Sequence, residues 1–305
     1  MINKTWKDAW ILMRIPFSIF LMPVFWLSLA VLPYSSWTYS SAILVFAILH
    51  LFLFPASNGY NSLIDKDEGP VGGIEHPPKP NVQLQILVFV FDVLSISVAF
   101  WHQLTFGYFV AVYWIFSKAY SHPKIRLKRY PYLSWLVVSV IQGGWTVIMI
   151  WSGLMDELPD FETPGFSIWI WPIASSILLA GSYPLTQIYQ HEEDNKRGDK
   201  TISSLLGIKG TFMLSGLCLG LGSALLAFGL YLFQSFLALA LVLSASLPSL
   251  IFFSLWALKT WKDPENADFR HTMRFNKISS LGLSFGFLLV ICLNIWANSL
   301  LLHPN

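Results

Sequence analysis

The stretch NGYNSLIDKDEGPVGG, Asn58 to Gly73, decides how the rest of the chain is read. It follows an apolar run long enough to cross a bilayer, and it sets Asp65, Asp67 and Glu68 within four positions. Charge at the edge of the hydrocarbon is costly unless something uses it. The partial negative charge at a helix C-terminus opposes anions there as well. A solvated loop explains basic residues at such a place but not this acid cluster, so the cluster reads as functional.

Outward from that stretch, the chain is that of an integral membrane protein. Of its 305 residues 55% are hydrophobic and only 12% charged, with mean hydropathy +0.57; soluble domains carry about a quarter charged residues. A span needs roughly 20 apolar residues. Runs of that order occur at 10–32, 41–60, 83–102, 104–122, 132–152, 166–189, 208–230, 234–258 and 279–302. The expected fold is all-α, a polytopic protein of nine transmembrane helices. The polar N-terminus and the lack of a small-residue cleavage site make the first run a retained span. Cys218 and Cys292 both lie in apolar runs and define neither a zinc spacing nor a disulfide framework.

Charge placement tests the count. With the N-terminus inside, the inner segments are 1–14, 61–82, 118–131, 190–209 and 259–277, and they hold all 19 Lys and Arg. The outer loop 153–165 carries Asp156, Glu157, Asp160 and Glu162 and no base. Basic short loops stay cytoplasmic, which predicts N-terminus in and C-terminus out. One domain over 1–305 is expected, with pseudo-repeat halves at about 10–131 and 132–277, a ninth helix at about 279–302, and a chamber between the four-helix units facing the cytoplasm. Each half presents one acid-rich and one base-rich inner loop.

The acids suit a hard cation. Carboxylates and amide carbonyls are the donors Mg²⁺ prefers, and Mg²⁺ usually bridges one or two carboxylates to substrate phosphates. Asn61 and Asp65 are four apart and share a helix face. Gln190 and Asp194 repeat that spacing in the second loop, with Glu193 beside them. Two such clusters facing basic loops suggest a diphosphate carried on metal and clamped by Lys and Arg. On a membrane protein this suggests a lipid tail lying between the helices.

At these residues the whole chain resembles the UbiA superfamily of intramembrane prenyltransferases. That family has nine transmembrane helices and two acidic motifs, after helices 2 and 6. The first, N-x-x-x-D-x-x-x-D, reads here Asn61-Ser-Leu-Ile-Asp65, with Gly69 at its last acid. The second, D-x-x-x-D, reads Gln190-His-Glu-Glu-Asp194, followed by Gly198, Thr201 and a Leu-Leu-Gly ending at Gly207. The run YSHPKIRLKRYP is similar to the family's loop after helix 4, which places a diphosphate contact on Lys128, with Arg126 nearby.

The resemblance implies Mg²⁺-dependent transfer of a prenyl group from a polyprenyl diphosphate to an aromatic or lipid acceptor, in a multi-pass protein of a bacterial plasma membrane. It implies two Mg²⁺ ions, Asp65 and Asp194 as catalytic ligands, and a metal shell drawn from Asn61, Asp65, Asp67, Glu68, Gln190, Glu193 and Asp194. Asp67 or Glu68 could replace the acid absent at Gly69, and Glu193 or Glu192 the one absent at Gln190. Lys128, Arg126, Lys200 and Arg270 are the expected diphosphate contacts. Membrane lipid is an expected partner and nucleic acid is not. Acceptor identity and chain length are not legible. The two altered acids raise a second reading, a catalytically inactive lipid-binding relative. An ion-coupled transporter is a third reading, which the one-sided acids disfavour.

Several other polar residues have two readings. Asn58, Asp92 and Gln142 could line the chamber, or Asp92 could be hydrogen-bonded between helices. His50 and Asn294 read as interhelical hydrogen-bond groups. Gln142 with Gly143 and Gly144 marks a chamber wall or a close helix contact. Lys118 and Arg14 are accounted for by anchoring at the span ends, though Lys118 could also contact diphosphate.

Overall fold

The computed structural model describes residues 4–155 and 166–302. Among the described residues ten helices are formed: α1 (Lys4–Val31), α2 (Tyr39–Asp65), α3 (Val82–His102), α4 (Leu104–Ser121), α5 (Pro131–Leu154), α6 (Phe166–Leu185), a short α7 (His191–Arg197), α8 (Ile202–Phe233), α9 (Phe236–Lys262) and α10 (Phe269–Leu302). Among the described residues, eight of these are long and apolar enough to cross a membrane. The expected fourth span, α4, is helical over 18 residues but falls short in apolar composition, carrying Lys118 and three tyrosines, Tyr108, Tyr113 and Tyr120. The acidic run Asp156, Glu157, Asp160 and Glu162 lies outside the described residues.

Local chemistry sets the helix boundaries. Thr38 and Thr201 open α2 and α8 with reciprocal capping boxes to Ser41 and Ser204. Asn81 and Ser235 cap α3 and α9 by accepting from the Leu84 and Ala238 N–H groups. Pro131 begins α5, where its missing N–H costs nothing. Helices α8 and α10 begin at Ile202 and Phe269, earlier than the apolar runs at 208 and 279, because helix continues past the hydrocarbon boundary.

Three interruptions shape the interior. In α1 the chain turns at Arg14, whose φ is 50°, into a 3₁₀ segment, Ile15–Leu21. Wide π segments interrupt α2 at Ala47–Leu53 and α5 at Val140–Trp145. Such segments commonly accompany functional sites in helices. In the second, Gly143 permits a contact no side chain could tolerate: a Cβ there would lie 2.6 Å from Ser176 Cα on α6. The Ser176 hydroxyl accepts from the Gly144 N–H at 2.9 Å.

The two ends of the bundle differ in chemistry. At one end the connecting loops are joined by charge, with Arg126 on Asp199, Arg197 on Asp67 and Arg270 on Glu75. At the other the links come from neutral side chains: Asn294 donates to the Ala30 carbonyl, Gln234 to Val31 and Gln103 to Met155. The core between them centres on Phe25, Phe106, Trp151 and Phe287, and Trp151 donates to the Ser28 carbonyl at 3.1 Å. His50 is boxed by Phe25, Phe46 and Phe54. Large apolar side chains such as Phe89, Trp101, Leu255 and Phe285 point outward, as a lipid-facing surface requires.

Candidate active site

A cavity of about 910 Å³ runs into the bundle from its charged end. The polar mouth holds Arg14, Asn61, Asp65, Asp67, Lys128, Asp194 and Arg197; the deeper wall is built from Phe54, Phe116, Leu226, Phe253 and Phe287. One elongated chamber thus joins a charged end to an apolar one.

The last turn of α2 places the first motif. Asn61 donates to Asp65 Oδ2 at 2.6 Å and to Ser121 Oγ at 2.8 Å. The break in α1 turns Arg14 inward, where it donates to the Asn58 carbonyl at 2.8 Å and to Asn61 Oδ1 at 3.3 Å. Arg14 therefore orders the first motif from behind, which is more than the anchoring role its position suggested. Lys66, at φ 53°, ends the helix and swings Asp67 toward the second motif.

The loop between α4 and α5 supplies the cations. Lys128 Nζ lies 2.5 Å from Asp65 Oδ1 and 3.5 Å from Asp199 Oδ2. Arg126 holds Asp199 with two bonds of 2.8 and 2.7 Å. Burial works against the Asp199 charge, but the Arg126 and Lys128 bonds prevail and hold its carboxyl below the usual range. The same pairing holds the Arg126 guanidinium above its ordinary value.

The second motif lies on α7, which Gly198 ends at φ 73°. Arg197 reaches back four residues to Glu193 and across to Asp67 Oδ1 at 2.7 Å. Glu193 also accepts from the Glu68 N–H at 2.9 Å. Gln190 donates to the Pro70 carbonyl at 3.2 Å and lines the chamber. Asp194 is pushed up to about 7, first by burial and then by the neighbouring charges of Asp199 and Asp65, against the pull of Lys128 and Arg197.

The expected residues sort as follows. Asn58, Asn61, Asp65, Asp67, Gln142, Gln190, Glu193, Asp194 and Lys128 all line the chamber. Glu68 meets it through its backbone, and Arg126 through Asp199 and, at 3.9 Å, Asp65. Lys200 and Arg270 lie outside the chamber wall: Lys200 is exposed, and Arg270 is 81% exposed and 3.1 Å from Glu75. Asp92 is also outside the wall: Lys118 neutralises it at 2.7 Å while lying over the Tyr60 ring. Arg14, Arg197 and Asp199 were not anticipated. The one readable signal was the four-residue spacing of Glu193 and Arg197, which favours an ion pair on a helix.

The site suits a divalent cation that shares its shell with a ligand. Asp67 Oδ2 and Asp194 Oδ2 are buried and have no hydrogen-bond partner. Such orphan anionic oxygens are costly unless a cation satisfies them. Among the described residues, no three His, Cys, Asp or Glu side chains cluster closely enough to hold a metal by themselves. A few carboxylates completed by phosphate oxygens is the usual Mg²⁺ arrangement.

Residues 20–281 match the sequence profile of the UbiA prenyltransferase family. No curated relative matches the chain. The fold is similar to that of a UbiA homolog from Archaeoglobus fulgidus bound to DMAPP and Mg²⁺, with TM-score 0.64 and 18% identity over 94% of this chain and 99% of that one. An apo UbiA homolog from Aeropyrum pernix K1 gives TM-score 0.64 and 19% identity, covering 93% and 98%. A digeranylgeranylglyceryl phosphate synthase gives TM-score 0.60 and 13% identity, covering 96% and 100%.

Proposed function

The chain belongs to the UbiA prenyltransferase family, and from that premise we propose that it moves a prenyl group from an isoprenoid diphosphate to an aromatic or lipid acceptor held in its chamber, with Mg²⁺ as cofactor. The observation that supports this reading most directly is the chamber itself. It puts orphan carboxylate oxygens and a buried lysine at the mouth of an apolar cavity sized for a lipid tail.

Each group has a role in that reaction. Lys128 has three N–H donors; Asp65 and Asp199 take two, which leaves one for a phosphate oxygen. Asp65, Asp67 and Asp194, with the Asn61 and Gln190 amides nearby, would hold the metal. Mg²⁺ bound there supplies Lewis acidity to the leaving diphosphate. The positive side chains at the mouth stabilise charge that develops as the allylic C–O bond breaks. Phe17, Phe54, Phe116 and Phe253 keep water from the prenyl cation until the acceptor attacks.

In this reading α4 also spans, which brings the count to nine, the bundle comprises two four-helix units and a last helix, and the chamber mouth faces the cytoplasm. The alternative of an inactive lipid-binding relative rests on Gly69 and Gln190. Incubation of labelled geranyl and longer prenyl diphosphates with the protein in membranes separates the two. Mg²⁺-dependent release of diphosphate supports transfer; tight binding without release supports the alternative.

A further inference from the structure

Arg197 occupies an unusual place for a positive charge. It lies in the chamber wall between two acidic motifs, bonded to Asp67 of the first at 2.7 Å and to Glu193 of the second. Burial disfavours its charge, yet the bond to Asp67 and the charges of Asp67, Glu193 and Asp65 more than offset this and hold the guanidinium above its ordinary value. The acids around it are rearranged in a matching way. A Cβ added at Gly69 would come within 2.8 Å of Glu193 Oε2, so the Glu193 carboxylate fills the space that a side chain at position 69 would need. The second loop thus supplies an acid to the first, and Arg197 takes up one oxygen of that acid and one of Asp67.

We propose that Arg197 replaces one of the two metal ions, so that the site binds an isoprenoid diphosphate with a single divalent cation and a built-in guanidinium. The inference rests on the function proposed above. Ligand supply carries it: Asp67 Oδ1 and a Glu193 oxygen are bonded to Arg197, Asp65 Oδ1 faces Lys128, Asp65 Oδ2 accepts from Asn61, and of the buried carboxylate oxygens in the chamber Asp67 Oδ2 and Asp194 Oδ2 have neither a cation nor a hydrogen-bond partner. That supply suits one ion completed by phosphate oxygens and is too small for two. A guanidinium has five N–H donors in a planar fork that fits phosphate. Arg197 uses two on the carboxylates and keeps the others for the ligand.

Mn²⁺ titrated into the full chain in detergent, with geranyl S-thiolodiphosphate present, counts the ions by loss of the free-ion resonance signal. One Mn²⁺ per chain is expected. Arg197→Gln should lower thiolodiphosphate affinity at least tenfold, and Arg197→Lys should recover part of it by restoring the charge. Two Mn²⁺ per chain in the parent protein would overturn the inference and leave the proposed function standing. Unchanged thiolodiphosphate affinity in folded Arg197→Gln would overturn it too. No bound Mn²⁺ at all would overturn both readings.

Discussion

At the scale of single residues the account turns on Lys128 and Asp194. Lys128 is buried, faces Asp65 and Asp199, and has one donor left for a ligand. Lys128→Ala should weaken prenyl diphosphate binding by about 1.5–3 kcal/mol, the range for a charge-assisted hydrogen bond, or roughly tenfold and more. Equilibrium binding of a thiolodiphosphate to the folded variant measures it, and an unchanged constant would remove Lys128 from the site. Asp194 titrates at about 7 because burial disfavours its charge. Its folded value lies above the unfolded value of about 3.9, so its stabilising contribution is complete below that pH and is lost as pH rises through 7. A metal needs the ionised form. Mg²⁺ affinity should therefore climb from about pH 6 to about pH 8 and then level off. Melting curves with and without Mg²⁺ across that window test the sign; equal Mg²⁺ stabilisation at both ends would contradict it.

At the scale of elements the helices follow from apolar length, and their irregularities follow from contacts no local pattern announces. Gly143 and Gly144 could be read as a close contact or as a chamber wall, and the structure shows both: the glycines pack on Ser176 while Gln142 faces the cavity. Gly143→Val would drive a side chain into the α6 backbone. A loss on the order of 1–3 kcal/mol is expected from such overpacking, read as an earlier thermal transition in detergent; a variant as stable as the parent would mean the two helices can part freely. The acid motifs were legible because their spacing repeats and their charge is out of place at a span end. Arg14 was not, since its inward turn depends on a left-handed backbone within α1. Asp199 was not, since its partner Arg126 lies 73 residues away in the chain. Asp92 left two readings open, chamber wall or interhelical bond, because its partner Lys118 comes from the next helix.

At the scale of the whole molecule the one-sided distribution of Lys and Arg is matched by loops that meet in one charged layer. In a cysteine-free background, a cysteine at Ser35 should react with an impermeant reagent from outside and one at Glu265 only after the membrane is opened. Labelling of both from the same side would break the nine-span topology. Under the proposed topology the charged mouth of the chamber faces the cytoplasm and its apolar depth lies within the bilayer. The central claim is that this chamber ionises an allylic diphosphate with its two acidic motifs. The measurement that tests it most directly is Mg²⁺-dependent diphosphate release from labelled prenyl diphosphate by membranes holding the parent protein, Asp65→Asn or Asp194→Asn, each shown to be folded. The account predicts release by the parent and none by either variant. Release at the parent rate by both variants would contradict it.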